Sequence, residues 1–254
     1  MTEPTMPIIS VLTPTQQARR DFLLEAGRSL MNQALPPSWT LEWIVQEDGE
    51  SPKLSEDVAL FPFARYQSNR KQLGEGQTRN LALVRALGEL VHVLDDDDLL
   101  LPGALAMAID TFANYPQIHW VAAQVDDLLP GNRRVSITAP ITPGIIEPGV
   151  VNDYICDVCA RNAPFLWPVH TAGLTIRTTT IRALGGWGSY PVGADVALLT
   201  ALTELTPGYL LSTITWLYRR HSQQVTASND WKDLAPQIAA QRITAIRELG
   251  LGCL

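Results

Sequence analysis

The chain has 254 residues, of which 46% are hydrophobic and 18% charged, so it can bury a large core and global disorder is not expected. Its net charge of −7 argues against a broad surface for nucleic acid or for an anionic membrane. A small anionic ligand stays compatible with this charge, because a metal ion or a few local donors can reverse the field inside one cleft.

The N-terminal residues, the apolar segments and the cysteines indicate in which cellular compartment the protein is expected. The first residues lack a basic region followed by a long apolar stretch, so no signal peptide is predicted. No segment has about eighteen uninterrupted apolar residues, so no membrane span is predicted. Three cysteines do not indicate a disulfide framework: Cys156 and Cys159 form a lone CxxC that suggests a reduced helical pair more than a zinc site, and Cys253 is the third. We expect a cytoplasmic protein.

The first part of the chain alternates strand and helix patterns. Strands are predicted at residues 8–12, 41–46, 64–67 and 89–94. After the first strand, apolar residues recur at helical spacing: Phe22, Ala26, Leu30 and Ala34. A second helix, predicted over residues 77–87 and stopped by Gly88, has apolar residues along one face: Leu81, Val84 and Leu87.

The second part is less regular. Strands are predicted at 118–125, 173–177 and 209–218, and helices at 195–205 and 234–249. Tight turns are predicted at 130–132 and 185–188, and a loop over residues 139–149, which hold three prolines and two glycines. We see no linker and no repeat, so the sequence predicts a single domain over residues 1–254.

Strands that alternate with helices indicate a mostly parallel sheet with helices on both faces. Ligands of such sheets bind beyond the carboxyl ends of the strands. Three polar clusters fall at predicted strand ends: residues 13–16, 47–51 and 95–98. We expect them to meet in one crevice.

The third cluster is an acidic tetrad, Asp95–Asp98, directly after a buried strand. Four adjacent carboxylates repel one another, so the tetrad costs stability unless a cation is bound. Mg²⁺ and Mn²⁺ prefer oxygen ligands, typically one or two carboxylates together with substrate phosphates. A solvated acidic loop before the next helix is the alternative, but the position at a strand end favours the metal site.

Together these blocks resemble family 2 glycosyltransferases of the GT-A fold. Residues 8–16 stand in place of the family's first strand and its P-T-Y-N-like turn, and residues 47–51 match its D-D-G-S-like turn. Gly74, Thr78, Arg79 and Asn80 match the latter part of an N-x-G-x-x-x-A-R-N-like segment, and residues 94–99 resemble its L-D-x-D-D motif. The resemblance, strongest from residue 7 to 105, implies an α/β Rossmann-like domain with a mostly parallel central sheet, helices on both sides and a smaller acceptor-side region.

The resemblance also implies roles for the donor-side residues. Asp48 would hydrogen-bond the base, with Thr13, Pro14 and Thr15 beside it, although turn and cap chemistry also favours Asp and Thr. Arg79 would lie near the nucleotide or its diphosphate, or else be a solvated helix arginine. Asp95 and Asp96 would contact ribose or metal. Asp97 would be the direct metal ligand, with an ambiguity of one position among four aspartates.

On the acceptor side, the family supplies a catalytic carboxylate from a G-x-x-x-x-x-E-D-like segment. Here Ala194 replaces the Glu, so Asp195 is the candidate general base, with a simple N-cap as the alternative. Trp187, in a G-G-W turn, would either stack on a sugar ring or fill core. His221, in a Y-R-x-H-like segment, would reach the metal or the diphosphate, or be structural.

The resemblance implies an inverting transfer of sugar from a nucleoside-diphosphate sugar, with UDP or dTDP favoured, to an acceptor hydroxyl, with Mg²⁺ or Mn²⁺ as cofactor. Residues 7–105 would form the nucleotide-sugar half, and residues 106–254 the acceptor half with its C-terminal helix. The acceptor would be a small molecule or a soluble glycan. Nucleic acid is not an expected partner, and a homodimer stays open.

Two other functions stay open from the sequence. A noncatalytic nucleotide-sugar-binding protein is suggested by Ala194 and by the poorly matched second half. A nucleotidyltransferase is less favoured, because residues 13–17 lack the glycine-rich basic loop that such an enzyme would have. A calcium-binding module would need a spaced D-x-D-x-D-G loop, which the tetrad does not form.

Overall fold

The computed structural model describes residues 6–161, 166–222, 224 and 229–251. Ten strands join one sheet in the order β3-β2-β1-β4-β9-β6-β10-β5, with β7 on β6 and β8 on β10. The strands are β1 Ile8–Thr15, β2 Thr40–Glu47, β3 Ala64–Ser68, β4 Leu90–Val93, β5 Leu99–Leu100, β6 Trp120–Leu129, β7 Arg133–Ile137, β8 Gly144–Ile146, β9 Thr175–Arg177 and β10 Gly208–Arg219.

The pairing is mostly parallel, as the sequence predicts. The first four strands, β1 to β4, are parallel to one another, and β6 is parallel to β10. The short strand β9 joins the two groups and runs antiparallel to both of its neighbours, while β5, β7 and β8 add antiparallel pairs on β10 and β6. One sheet therefore crosses both halves of the chain, whereas their donor and acceptor roles stay predictions.

Helices cover both faces of the sheet. They are α1 Arg20–Met31, α2 Ser55–Val58, α3 Glu75–Arg85, α4 Ala104–Asn114, α5 Val150–Ala160, α6 Thr178–Ala183, α7 Ala194–Leu205 and α8 Asn229–Glu248. Apolar residues of α1, α2 and α4 pack on one face, and those of α3, α5, α6, α7 and α8 pack on the other. Among the described residues, none of the helices has both the length and the apolar composition that crossing a membrane requires.

Helix α3 corrects one prediction. Leu81, Val84 and Leu87, predicted as its apolar face, are 40%, 78% and 67% exposed. The buried face instead contains Thr78, Arg79 and other residues of mixed polarity. The apolar spacing misleads here because the helix faces both the core and a polar cleft.

Other boundaries also differ from those predicted. The first helix ends at Met31, so Ala34 lies beyond it. The predicted loop at 139–149 contains β8, and the exposed edge strand β7 has no apolar alternation that would have revealed it. The turn at 130–132 is confirmed as the β6–β7 hairpin connection, with Gly131 and Asn132 both at positive φ.

The helical placement predicted for the cysteine pair is confirmed. Cys156 and Cys159 are free, exposed residues on α5. Cys253 lies outside the described residues.

Candidate active site

A cleft of about 670 Å³ lies at the carboxyl ends of the parallel strands. Thr15 at the end of β1 pairs in register with Glu47 at the end of β2, and Asp95 follows β4 at the same edge. The opposite wall is the segment from Gly188 to Asp195, which leads into α7. Seven predicted site residues line this cleft: Pro14, Thr15, Asp48, Asp95, Asp96, Asp97 and Asp195.

The remaining predicted residues do not line the cleft, and two of them need correction. Thr13 is fully buried, and its hydroxyl accepts a hydrogen bond of 2.8 Å from Trp43 Nε1, because its side chain points from β1 into the packed face of the sheet. Trp187 is 2% exposed and fills core, so its ring is not presented to a sugar in the cleft. The core alternative for Trp187 is the one that the structure supports.

Asp48 lines the cleft but is already engaged. Its Oδ1 accepts hydrogen bonds from Asn69 Nδ2 and from the Leu73 amide, and its Oδ2 accepts one from the Gly74 amide. These contacts at 2.8–3.0 Å fasten the loop that begins α3 to the end of β2. Asp48 therefore shapes this wall, and contact with a base stays a prediction.

Thr15 presents its hydroxyl at this wall, next to the acidic tetrad. The residue is 3% exposed, and a hydrogen bond from its side chain lowers the pKa of Asp96 against the larger, opposite effect of burial. A polar ligand in the cleft would meet this hydroxyl beside the Asp96 carboxylate.

Arg79 is not a solvated arginine. It is fully buried on α3 and bonds three carboxylates: Asp195 Oδ1 at 2.7 Å, Asp95 Oδ1 at 2.5 Å and Glu75 Oε1 at 2.5 Å. Its guanidinium also lies 5.7 Å from the centre of the Trp187 ring. The predicted position of Arg79 near the nucleotide or its diphosphate stays a prediction. Direct contact with a phosphate would require Arg79 to leave these three carboxylates.

Close packing between α3 and α7 makes the contact of Arg79 with Asp195 possible. A Cβ on Gly76 would lie 2.7 Å from Ala194 Cβ and 3.0 Å from the Gly188 carbonyl oxygen, so only glycine fits there. One turn later, Asn80 Nδ2 donates to the Trp187 carbonyl and Asn80 Oδ1 accepts from the Trp187 amide, both at 2.8 Å. The turn 185–188, confirmed with Gly185 and Gly186 at positive φ, is thus fixed to α3.

Asp195 lies in the first turn of α7, and its side chain is 33% exposed. It is not the N-cap, since that position belongs to Gly193 in a left-handed conformation. Burial raises the pKa of Asp195 to about 6, against the opposing effect of Arg79, and the Glu75 carboxylate adds to the increase. The group can therefore exchange a proton near neutral pH.

The acidic tetrad is surrounded by basic side chains from several parts of the chain. Arg19 pairs with Asp97 Oδ2, His221 Nε2 lies 2.8 Å from the same oxygen, and Arg79 holds Asp95. Arg219 donates its backbone amide to Asp98 Oδ1 at 2.9 Å and its Nε to the Asp97 carbonyl at 2.7 Å. The repulsion within the tetrad is thus partly relieved by arginines, whereas the sequence suggested a bound ion alone.

The negative charge of the buried tetrad is still only partly compensated. Burial, and then the neighbouring Asp97 carboxylate, raises the pKa of Asp96 well above its usual range. The pKa of Asp98 is also raised well above its usual range, chiefly by burial, and its Oδ2 is buried without a partner among the described residues.

The donor atoms of this loop fit a hard divalent ion. Asp95, Asp97 and Asp98 can each offer a carboxylate oxygen, and these three oxygens lie within 4.8 Å of one another. An all-oxygen set with an adjacent imidazole suits Mg²⁺ or Mn²⁺. Asp97 therefore stays the preferred candidate ligand, with His221 against it.

Several residues of this site were missed from the sequence. Glu75 is one turn from Arg79 on α3, and the i, i+4 spacing of opposite charges was an available signal. Arg19 and Arg219 gave no such signal, because a sequence with Arg19-Arg20 and Arg219-Arg220 does not show which arginine of each pair faces the tetrad.

Comparisons with known proteins agree with this geometry. The family model of Glycosyl transferase family 2 matches residues 10–166, more than half of the chain. An uncharacterized glycosyltransferase of Methanocaldococcus jannaschii is 29% identical over 108 residues, which cover 39% of this chain and 35% of that protein.

Solved structures of S. aureus TarS share the fold. A TarS 1–349 complex with UDP-GlcNAc has a TM-score of 0.68 at 18% identity and covers 92% of this chain and 66% of its own. A complex of the same fragment with UDP has a TM-score of 0.65 at 17% identity and covers 94% and 71%. The chain spans about a third of the curated relative and 43% of a longer TarS chain.

Proposed function

The chain belongs to glycosyltransferase family 2, and from this premise we propose that it transfers a sugar from a nucleoside-diphosphate sugar to an acceptor hydroxyl, with inversion at the anomeric carbon. One observation carries the proposal: Asp195 and three residues of the tetrad, Asp95–Asp97, line the same cleft, and Arg79 bonds both Asp195 and Asp95. One guanidinium therefore bonds both the proposed proton acceptor and a carboxylate of the loop that would lie beside the departing diphosphate.

The proposed base is Asp195. With a pKa of about 6, the carboxylate is ionised at neutral pH and still basic enough to accept the proton of an attacking hydroxyl. The new bond forms between the acceptor oxygen and the anomeric carbon as the bond to the diphosphate oxygen breaks, and the hydroxyl proton goes to Asp195. Attack from the side opposite the leaving group inverts the anomeric configuration. The packing of α7 on α3 would fix the carboxylate in the required position.

The donor would lie along the ends of β1, β2 and β4. The Thr15 hydroxyl, Pro14 and the Asp48 wall would contact the nucleoside, with Asp96 near the ribose. We propose UDP or dTDP as the nucleotide. Because TarS is solved with UDP-GlcNAc, that compound is the first donor to test.

A divalent ion, Mg²⁺ or Mn²⁺, would be held by Asp97 with His221 and with Asp95 or Asp98. When bound, it would supply positive charge that stabilises the departing diphosphate. Asp97 and His221 would fix its place, while Arg219 holds the loop backbone on which Asp97 and Asp98 stand.

The acceptor would enter past the Gly188–Asp195 wall. Tyr190, Tyr218 and Trp231 line the cleft, and Tyr190, which is 37% exposed, is the first candidate to present its ring to a sugar, which the buried Trp187 does not. We propose a small molecule or a soluble glycan as the acceptor.

A noncatalytic nucleotide-sugar-binding protein is the second candidate, and Ala194 favours it. Ala194 lines the cleft beside Asp195 and has no carboxylate where the family motif carries a Glu. Proton transfer would then depend on Asp195 alone.

The test measures both binding and turnover with UDP-GlcNAc and Mn²⁺. UDP at about 100 times its dissociation constant should add ~2.7 kcal/mol to the free energy of unfolding, and the transferase should also release UDP from the donor when acceptors are supplied. Asp97→Asn should remove the Mn²⁺-dependent part of donor binding, whereas Asp110→Asn, on the exposed face of α4, should not. Binding without turnover across acceptors would support the second candidate, and absence of both would reject the proposal.

A further inference from the structure

Arg19 reaches the acidic tetrad from a short 3-10 turn, Gln17–Arg19, that connects β1 to α1. Its side chain is 19% exposed and lines the cleft, unlike the fully buried Arg79. The neighbouring Arg20 points elsewhere: it is exposed and pairs with Asp57 through bonds of 2.8 and 2.5 Å. The two adjacent arginines therefore have different surroundings.

The contact of Arg19 is with the candidate metal ligand itself. Arg19 Nη1 pairs with Asp97 Oδ2 and lies 3.4 Å from Asp96 Oδ1. The same Asp97 oxygen has His221 Nε2 at 2.8 Å. Mg²⁺ binds its oxygen ligands at about 2.0–2.1 Å, so an ion on Asp97 Oδ2 and a guanidinium on the same atom would be like charges in close contact.

We propose that Arg19 is a tethered cation that competes with the divalent ion for Asp97 and is released toward the donor diphosphate when the ion binds. The inference rests on the proposed function, because it takes Asp97 as the metal ligand and a diphosphate as the neighbouring anion. Arginine forms strong bidentate bonds with phosphate, and Arg19 already lines the cleft that would hold it.

Competition of this kind couples the two ligands. Without a nucleotide, an ion that binds Asp97 displaces Arg19 from its carboxylate partners. The free energy of ion binding is then reduced by the full cost of breaking those ion pairs. With a nucleoside diphosphate present, Arg19 gains a new anionic partner, so the ion binds more tightly. By thermodynamic linkage the nucleotide then also binds more tightly when the ion is present.

The experiment is a Mn²⁺ titration of the full chain without nucleotide, followed by electron paramagnetic resonance of free Mn²⁺. Arg19→Gln should bind Mn²⁺ about tenfold more tightly than wild type, the scale of one lost bond to a charged group. Arg20→Gln is the matched control and should bind like wild type. Equal or weaker Mn²⁺ binding by Arg19→Gln, or no Mn²⁺ binding by either protein, would overturn the inference.

A second titration in the presence of UDP tests the coupling. The factor by which UDP tightens Mn²⁺ binding should be smaller in Arg19→Gln than in wild type, and an unchanged factor would contradict release toward the diphosphate. Arg19→Lys keeps the charge and should gain less Mn²⁺ affinity than Arg19→Gln; an equal gain would rule out charge competition. Far-UV circular dichroism confirms that each variant is folded.

These readouts separate the inference from the proposed function. They measure binding alone, so a chain that shows the Arg19 effect but never transfers sugar would reject the transferase and keep the inference. If the chain transfers sugar but Arg19→Gln leaves the Mn²⁺ affinity unchanged, the inference about Arg19 is rejected and the transferase is kept.

Discussion

The two walls of the cleft carry acidic groups in contrasting ways. On the tetrad side, four carboxylates occupy one loop. Arg19 and Arg79 pair with two of them, and Arg219 donates its backbone amide to Asp98 and its Nε to the Asp97 carbonyl. On the α7 side, Asp195 is a single carboxylate with one described ion-pair partner, and its pKa lies near 6. The number of carboxylates alone therefore does not determine what a wall can do. The tetrad wall concentrates negative charge, whereas Asp195 on the other wall can exchange a proton near neutral pH.

The largest effect should follow from Asp195→Asn. Removing the proposed base while keeping its shape should lower turnover about 10²–10⁴-fold, and donor affinity should stay within a few fold because the proposed nucleotide site is on the other wall. Steady-state transfer assays and donor titrations measure both quantities, with Asp110→Asn as the control. Equal loss of donor affinity and turnover would mean that the two walls do not have separate roles.

Arg79→Met removes the group that connects the walls. Three carboxylates would lose their buried cation, so we expect the free energy of unfolding to fall by about 3 kcal/mol, the low end for broken buried pairs because the carboxylates keep some contact with solvent. Urea unfolding measures it. Arg161→Met removes only an exposed pair with Asp157 and should change stability by no more than about 0.5 kcal/mol. Similar values for the two variants would contradict a structural role for Arg79.

Gly76→Ala tests the packing that brings the walls together. The new Cβ would meet Ala194 and the Gly188 carbonyl, so we expect a loss of about 1–3 kcal/mol in the free energy of unfolding together with reduced turnover. Val84→Ala, on the exposed face of the same helix, should stay within about 0.5 kcal/mol of wild type. A fully active and stable Gly76→Ala would show that α3 and α7 need not touch closely.

The pH dependence gives the smallest effect. The base must be ionised, so turnover should fall about tenfold for each pH unit below about 6 and level off above it. Since Arg79 opposes the increase in the pKa of Asp195, Arg79→Met should move the midpoint to higher pH. Rates measured from pH 4.5 to 8 provide the check. A midpoint that stays the same in Arg79→Met would show that Arg79 does not influence the pKa of the group that controls turnover.

The sequence predicted most of the sheet and the edge where the cleft lies. Buried apolar runs identify β1, β2 and β4 because both faces of these strands are covered, and the polar residues after them necessarily meet at one edge. The family resemblance added the order of the motifs. Short strands such as β5 and β7 were missed because two residues, or an exposed edge, leave no periodic pattern.

The errors at the site come from orientation, which periodicity does not determine. Thr13 and Thr15 are two residues apart on β1, but Thr13 bonds Trp43 in the core and Thr15 lies at the cleft wall, where the strand ends. From its residue type Trp187 could stack on a sugar ring or fill core, and the structure buries it. Arg79 is also fully buried, so the alternative of a solvated arginine is wrong, and its role near the nucleotide stays a prediction. Which side chain of a motif reaches a ligand depends on packing between distant segments.

The double hydrogen bond of Asn80 has a consequence for how this molecule can open. A side-chain amide here pairs with the backbone of residue 187 as one peptide group pairs with another, so α3 and the turn 185–188 are joined as a rigid unit. Opening of the cleft would leave this unit intact and separate it from the tetrad loop at the ion pair of Arg79 with Asp95, a polar contact in which Arg79 is buried and the Asp95 side chain is 23% exposed. We expect substrate entry to exchange ion pairs, while the hydrophobic packing stays closed.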